Sequence, residues 1–170
     1  GVLSGCKAEE ELLHDSRKTN CDGEYTTKIT LVTTGPTIYD GTFNSLAMAG
    51  AEEACTAENS CCLEIDMPNK DTDEKDFFCE MEYASLDSAM TIGVGFYHDT
   101  ATHRAAACMA DKSFAAVDVD FDSHPNDNLE GIIFDNAQAG FLAGYMAGLV
   151  AAVSPNKKAG ILSGPRIAPV

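Results

Sequence analysis

The sequence predicts an α/β protein: a flavodoxin-like parallel sheet with helices on both faces. Three observations carry this. Short β-branched runs alternate with helical stretches along the chain, the order that strands joined by crossover helices produce. Residues 28–34 (KITLVTT) are rich in β-branched side chains, as a strand packed on both faces should be. That run leads into a turn holding Gly35, Pro36, Asp40 and Gly41, and then a helix. In open α/β sheets ligands sit beyond the carboxyl ends of strands, so residues 35–44 are the first place to expect function.

At 170 residues the chain has the length of one domain with a good-sized core. Its formal net charge is −16, from 27 acidic and 11 basic residues. Phosphates would be repelled, which argues against nucleic acid or anionic lipid as a partner. Seven cysteines include no CxxC pair, and four histidines lack metal-ligand spacing, so neither a metal site nor a cofactor is expected. Disulfides formed in an oxidising compartment explain the cysteines better. The odd count leaves one thiol free, or paired outside this sequence. Cys61 and Cys62 are adjacent, so on a strand they face opposite ways and take different partners.

The elements follow in order. Residues 1–27 read as a polar N-terminal extension with a helical patch over 8–18, bracketed by Cys6 and Cys21. The first strand covers 28–34. Its helix starts at Phe43 behind a Thr42 cap, with Phe43, Leu46, Ala47, Gly50 and Ala54 on the apolar face. Residues 60–67 (SCCLEIDM) form a second strand. Residues 68–75 form a charged loop, which lacks the glycine and closing glutamate of a calcium loop. A helix over 76–88 leads to a third strand, 89–95. That strand ends in Gly93-Val94-Gly95-Phe96, a lone GxG without the rest of a phosphate-binding motif. A helix over 100–110, a fourth strand over 114–120 ending in carboxylates, and a short strand over 131–134 come next. The small-residue helix 136–153 is read as buried. Within it, residues 141–153 are the longest apolar run, short of the ~20 residues of a membrane span. Residues 158–162 (KAGIL) read as the last strand.

Four segments together resemble the basic membrane protein (BMP) family, the purine-nucleoside-receptor-like substrate-binding lipoproteins of ABC transporters. They are Val32-Thr33-Thr34 followed by Asp40-Gly41-Thr42-Phe43-Asn44; Gly93-Val94-Gly95-Phe96; the run from Phe134 to Gly148; and Lys158 to Gly164. Leu3-Ser4-Gly5-Cys6 also resembles a bacterial lipobox. The resemblance implies a type-1 periplasmic-binding-protein fold, with residues 28–170 as the first of two lobes that close on a ligand. It puts Phe43 against a base, Asn44 on base or sugar edges, and Asp118 on ribose hydroxyls. Thr34, Asp40, Gly95 and Phe96 complete the implied ligand-binding set. Thr34 stands where the family carries an aspartate, and a neutral hydroxyl cannot accept two charge-assisted bonds from a purine.

The leading expectation is therefore an extracytoplasmic, non-catalytic binding protein for a small, nucleoside-like ligand. The alternative is a structural or assembly protein that reuses the single lobe and meets another protein chain, disulfide-linked. An enzyme reading built on His98, His103, Asp99 and Cys108 is weaker, because His103 and Cys108 fall on different faces of one helix.

Overall fold

The computed structural model describes residues 14–19, 25, 27–34, 38–58, 61–68, 74–122 and 126–162. Strand β2 (Thr27–Val32) is the centre of a six-stranded sheet of order β1-β3-β2-β4-β5-β6. Here β1 is His14–Thr19, β3 Cys61–Pro68, β4 Met90–Val94, β5 Ser113–Val117 and β6 Leu129–Ile132. The strands from β2 onward pair in parallel, with β2 in register from Thr27 against Cys61 and from Ile29 against Met90. Their order is the flavodoxin order the sequence predicts. The chain leaves β2 for β3 on one side, then crosses to β4 on the other. The strand order thus reverses at β2, opening a crevice at the ends of β2 and β4.

Strand β1 corrects the sequence reading. A helix was expected over 8–18, yet residues 14–19 pair antiparallel with β3, from His14 against Pro68 to Thr19 against Leu63. Helix propensity is a weak local preference. The unpaired edge of β3 offers a full ladder of hydrogen bonds, and the ladder wins.

Alternation along β2 builds two cores. Leu31 points to one face with Leu63, Val94, Ile38 and Cys55, against helix α1 (Phe43–Glu58). Val32 points to the other, with Phe77, Phe78 and Met81 of α2 (Glu74–Ser85), Ala101 and Ala105 of α3 (Asp99–Cys108), and Phe114. Each large side chain buried this way contributes about 1.5–3 kcal/mol.

Helix α1 is rotated from the expected phase. Phe43 and Leu46 are 50% and 71% exposed, and Gly50 and Ala54 are exposed as well. The inward positions are Asn44, Ala47, Met48, Ala51 and Cys55. Thr42 is not the side-chain cap either. Asp40 accepts from the backbone N–H of Thr42 at 2.9 Å, Asn44 at 3.0 Å and Ser45 at 3.1 Å. Three donors that a helix start leaves unsatisfied are thereby met.

Other ends are tied by long side chains. Lys112 Nζ donates to the carbonyls of Leu86 and Ser88 beyond α2, and Asn128 Nδ2 donates to that of Ala106 in the last turn of α3 and to those of Met109 and Lys112 beyond it. Cys55 and Cys79 are buried on opposite faces of the sheet and neither is a free thiol. Cys108 is exposed and free.

Residues 133–170 form a second compact unit. It carries helix α4 (Asn136–Val153), whose N-terminus is capped by Asp135 Oδ1 accepting from the Gln138 N–H at 3.1 Å. The helix was expected to be buried, yet none of its residues is. Apolar residues surround it on all sides, the pattern of a helix that is covered all round. By length and composition alone its 18 residues would also reach across a membrane, which the shorter apolar run read from sequence did not suggest. Residues 158–162 form no strand, and Ile161 and Leu162 stand open to solvent. An apolar, β-prone run becomes a strand only beside a partner ladder, and none pairs with it among the described residues.

The lipobox, the Cys6–Cys21 bracket, Gly35 and Pro36, and the closing Ser163-Gly164 lie outside the described residues.

Candidate functional site

A cavity of about 140 Å³ opens at the reversal point of the strand order. Each wall comes from a different stretch of chain. Thr34 follows β2, and Phe43 and Asn44 open α1. Val94 ends β4, and Gly95, Phe96 and Tyr97 lead into a short 3-10 turn (Phe96–His98). Asp118 follows β5. The sequence-predicted residues Thr34, Phe43, Asn44, Gly95, Phe96 and Asp118 are brought together here. Asp40 is not among the lining residues. Desolvation pushes its carboxyl up, but the bonds from Thr42, Asn44 and Ser45 outweigh this and hold it well below the usual carboxylate range.

The geometry follows from local backbone needs. Asn44 is only 4% exposed. Its Oδ1 accepts from the Thr34 N–H at 3.3 Å and its Nδ2 donates to the Thr34 carbonyl at 2.9 Å. The Thr34 hydroxyl donates to the Val94 carbonyl, tying the ends of β2 and β4 together. Gly95 has φ of +97°, and an added Cβ would lie 3.0 Å from Thr34 Oγ1, so glycine is required on both counts. Asp118 also sits at positive φ, 66°, which is uncommon for a residue with a side chain and is tolerated best by Asp and Asn. Its N–H donates to the Ile132 carbonyl at 2.7 Å. Strained backbone of this kind concentrates at functional sites.

An aromatic ring at a helix start can serve as a stacking face or as a plug against the sheet. At 50% exposed Phe43 is a rim residue rather than a plug. Sequence reasoning missed Tyr97, whose ring lies 4.3 Å from that of Phe96 and 6.5 Å from that of Phe77. The adjacent aromatics Phe96-Tyr97 after Gly95 were the available signal. His98, behind them, is fully buried, with its ring 4.6 Å from Phe77 in an edge-on contact. Burial pushes its imidazole down to about 4, against a small opposing contribution from the Thr33 backbone. A sealed His98 and an exposed Cys108 leave the nucleophile reading without a shared surface. Among the described residues no cluster of His, Cys, Asp and Glu could hold a metal ion.

A sequence profile described as ABC transporter substrate-binding protein, PnrA-like, matches residues 26–170. The chain belongs to the Bmp family. Two solved structures share the fold of this Bmp chain. One is an ABC transporter solute-binding protein from Conexibacter woesei DSM 14684, 24% identical, with a TM-score of 0.56 over 72% of this chain and 40% of that one. The other is from Aeropyrum pernix K1, described in the same terms, 18% identical, with a TM-score of 0.64 over 74% of this chain and 33% of that one. No curated protein matches. The Bmp chain thus has the α/β periplasmic-binding-protein fold and spans 40% and 33% of the length of these two neighbours.

Proposed function

We propose that this Bmp chain supplies one wall of the ligand site of an extracytoplasmic ABC-transporter receptor, which holds a small molecule without changing it. The observation that carries the reading is the convergence of Thr34, Phe43, Gly95, Phe96 and Asp118, from separate stretches, on one cavity at the reversal of strand order. Its volume is below the roughly 300–1,000 Å³ of complete small-molecule pockets, as expected of one side of a cleft that closes on its ligand. In this reading Phe43 stacks on a flat ring and Asp118 meets polar hydrogens of the ligand. Asn44 acts mainly by holding Thr34 in place. The transporter's membrane domains would be the protein partner, and the cysteines fit an oxidising compartment. A nucleoside-like ligand has Phe43 in its favour and Thr34, in place of a carboxylate, against it.

Calorimetric titration of the chain with adenosine and guanosine, beside the Phe43→Ala variant, tests the nucleoside reading. Saturable binding that weakens about tenfold in the variant supports stacking. Heats that do not saturate, or a variant that binds equally well, sink it.

The assembly reading has one observation in its favour, the exposed apolar circumference of α4. Sedimentation under reducing and non-reducing conditions decides it: a monomer in both removes that reading.

A further inference from the structure

We infer that Tyr97 is a ligand-contacting residue of this cavity: its ring forms an aromatic wall and its hydroxyl hydrogen-bonds a polar group of the ligand. The inference rests on the receptor reading above. It adds a directional contact from a residue outside the set the sequence suggested.

Placement is the first observation. Tyr97 lines the cavity together with Phe43, Phe96 and Asp118. It is also 58% exposed, so its surface is open to a molecule arriving from solvent.

The second observation is that the fold holds this exposed ring in place. It stacks on Phe77, a buried core residue of α2, within 11° of parallel and at 6.5 Å. The Phe96 ring lies beside it at 4.3 Å, tilted by 33°. The backbone of the turn is tied as well. The Gly95 N–H donates to the Val117 carbonyl and the His98 N–H to the Gly95 carbonyl, both at 3.1 Å. The Asp99 N–H donates to the Phe96 carbonyl. His98, the next residue, is fully buried with its ring edge-on to Phe77. A side chain whose position is already set loses little freedom on binding, which is why rigid aromatics recur in binding sites.

The hydroxyl is the third. Two other polar side chains of the lining are committed to the protein. The Thr34 hydroxyl donates to the Val94 carbonyl, and the Asn44 amide pairs with both backbone groups of Thr34. The Tyr97 hydroxyl has no protein partner among the described residues. A phenol both donates and accepts, so it can meet a polar ring edge or a sugar hydroxyl. The ring alone would cover Phe77, and phenylalanine would do that equally well. What the hydroxyl adds is a bond to something that enters the cavity.

The test titrates adenosine and guanosine calorimetrically into the full chain, Tyr97→Phe and Tyr97→Ala, with urea unfolding midpoints measured on each. Tyr97→Phe removes the hydroxyl and keeps the ring on Phe77. The expected result is about three- to tenfold weaker nucleoside binding by Tyr97→Phe, with an unchanged midpoint. Tyr97→Ala should weaken binding at least about threefold further, because the wall is lost too. Equal binding by the parent chain and Tyr97→Phe overturns the inference and leaves the receptor reading intact. A midpoint that falls in Tyr97→Phe along with affinity also overturns it, because the hydroxyl then serves the fold. If neither nucleoside binds the parent chain, both fail.

Discussion

Asn44 sets the rotation of helix α1 by pairing both atoms of its amide with the backbone of Thr34. Oδ1 accepts from the Thr34 N–H at 3.3 Å, and Nδ2 donates to the Thr34 carbonyl at 2.9 Å. With Asn44 turned inward, Met48, Ala51 and Cys55 follow at helical spacing into the core, and Phe43 is left at the cavity rim. One polar side chain thus decides which apolar ones are buried.

Replacing Asn44 tests this directly. Asn44→Ala leaves two backbone groups of Thr34 without partners, at about 1–3 kcal/mol for each that stays buried. Asn44→Asp keeps the acceptor but sets a carboxylate against the Thr34 carbonyl, and is expected to cost more. Urea unfolding midpoints rank the two variants, and an unchanged midpoint in Asn44→Ala would show that the clamp is dispensable.

Asp40 and His98 make the stability of the fold depend on pH in separate windows. The Asp40 carboxyl is held below its ordinary value in the folded chain, because folded backbone N–H groups favour its charged form. Its contribution is complete above the unfolded value near 3.8 and fades as pH falls below it. Asp40→Ala should cost about 1 kcal/mol at neutral pH, as loss of a helix cap does. It should also flatten the most acidic part of the stability curve, measured by thermal unfolding from neutral pH downward.

His98 acts higher on the same curve. Its folded value of about 4 lies below the ordinary 6.5, so between them the unfolded chain binds more protons. Stability is therefore full above about 6.5 and declines as pH falls toward about 4. Histidine resonances followed by NMR should show one imidazole still neutral at pH 5. If all four titrate near 6.5, the sealed site does not exist.

Gly93 has a different requirement, simple lack of room. A Cβ there would lie 2.6 Å from His98 Cβ and 2.8 Å from its Cγ. Gly93→Ala should lose about 1–3 kcal/mol by overpacking. It should also displace the turn carrying Phe96 and Tyr97. The double variant Gly93→Ala/His98→Gly removes both atoms, so it should be less destabilised than the sum of the two single changes. Strict additivity in denaturant unfolding would show that the two residues are not in contact.

Much of the sheet was legible because strand and helix periods differ along the chain, and the flavodoxin order followed from their alternation. Six site residues converge on one cavity because they stand near the carboxyl ends of predicted strands or at the start of the helix that follows the first, where that topology gathers side chains. What was not legible depends on tertiary partners. The strand at 14–19 exists only because β3 offers an edge. The inward face of α1 depends on an amide bonding a backbone ten residues away. Asp40 and Thr42 both have the chemistry of a cap, and only backbone geometry chooses Asp40. The segment at 158–162 carries a strand's side chains, but among the described residues no strand pairs with it.

The antiparallel edge strand has a consequence for the order of events during synthesis. His14–Thr19 emerges from the ribosome before the strand it pairs with, because its ladder lies on Cys61–Pro68. At roughly 5–20 residues per second, it waits several seconds for a partner. Its sequence, HDSRKT, is charged and polar throughout, which is how exposed strand edges avoid pairing with other chains. A strand made before its partner is built to remain soluble while it waits.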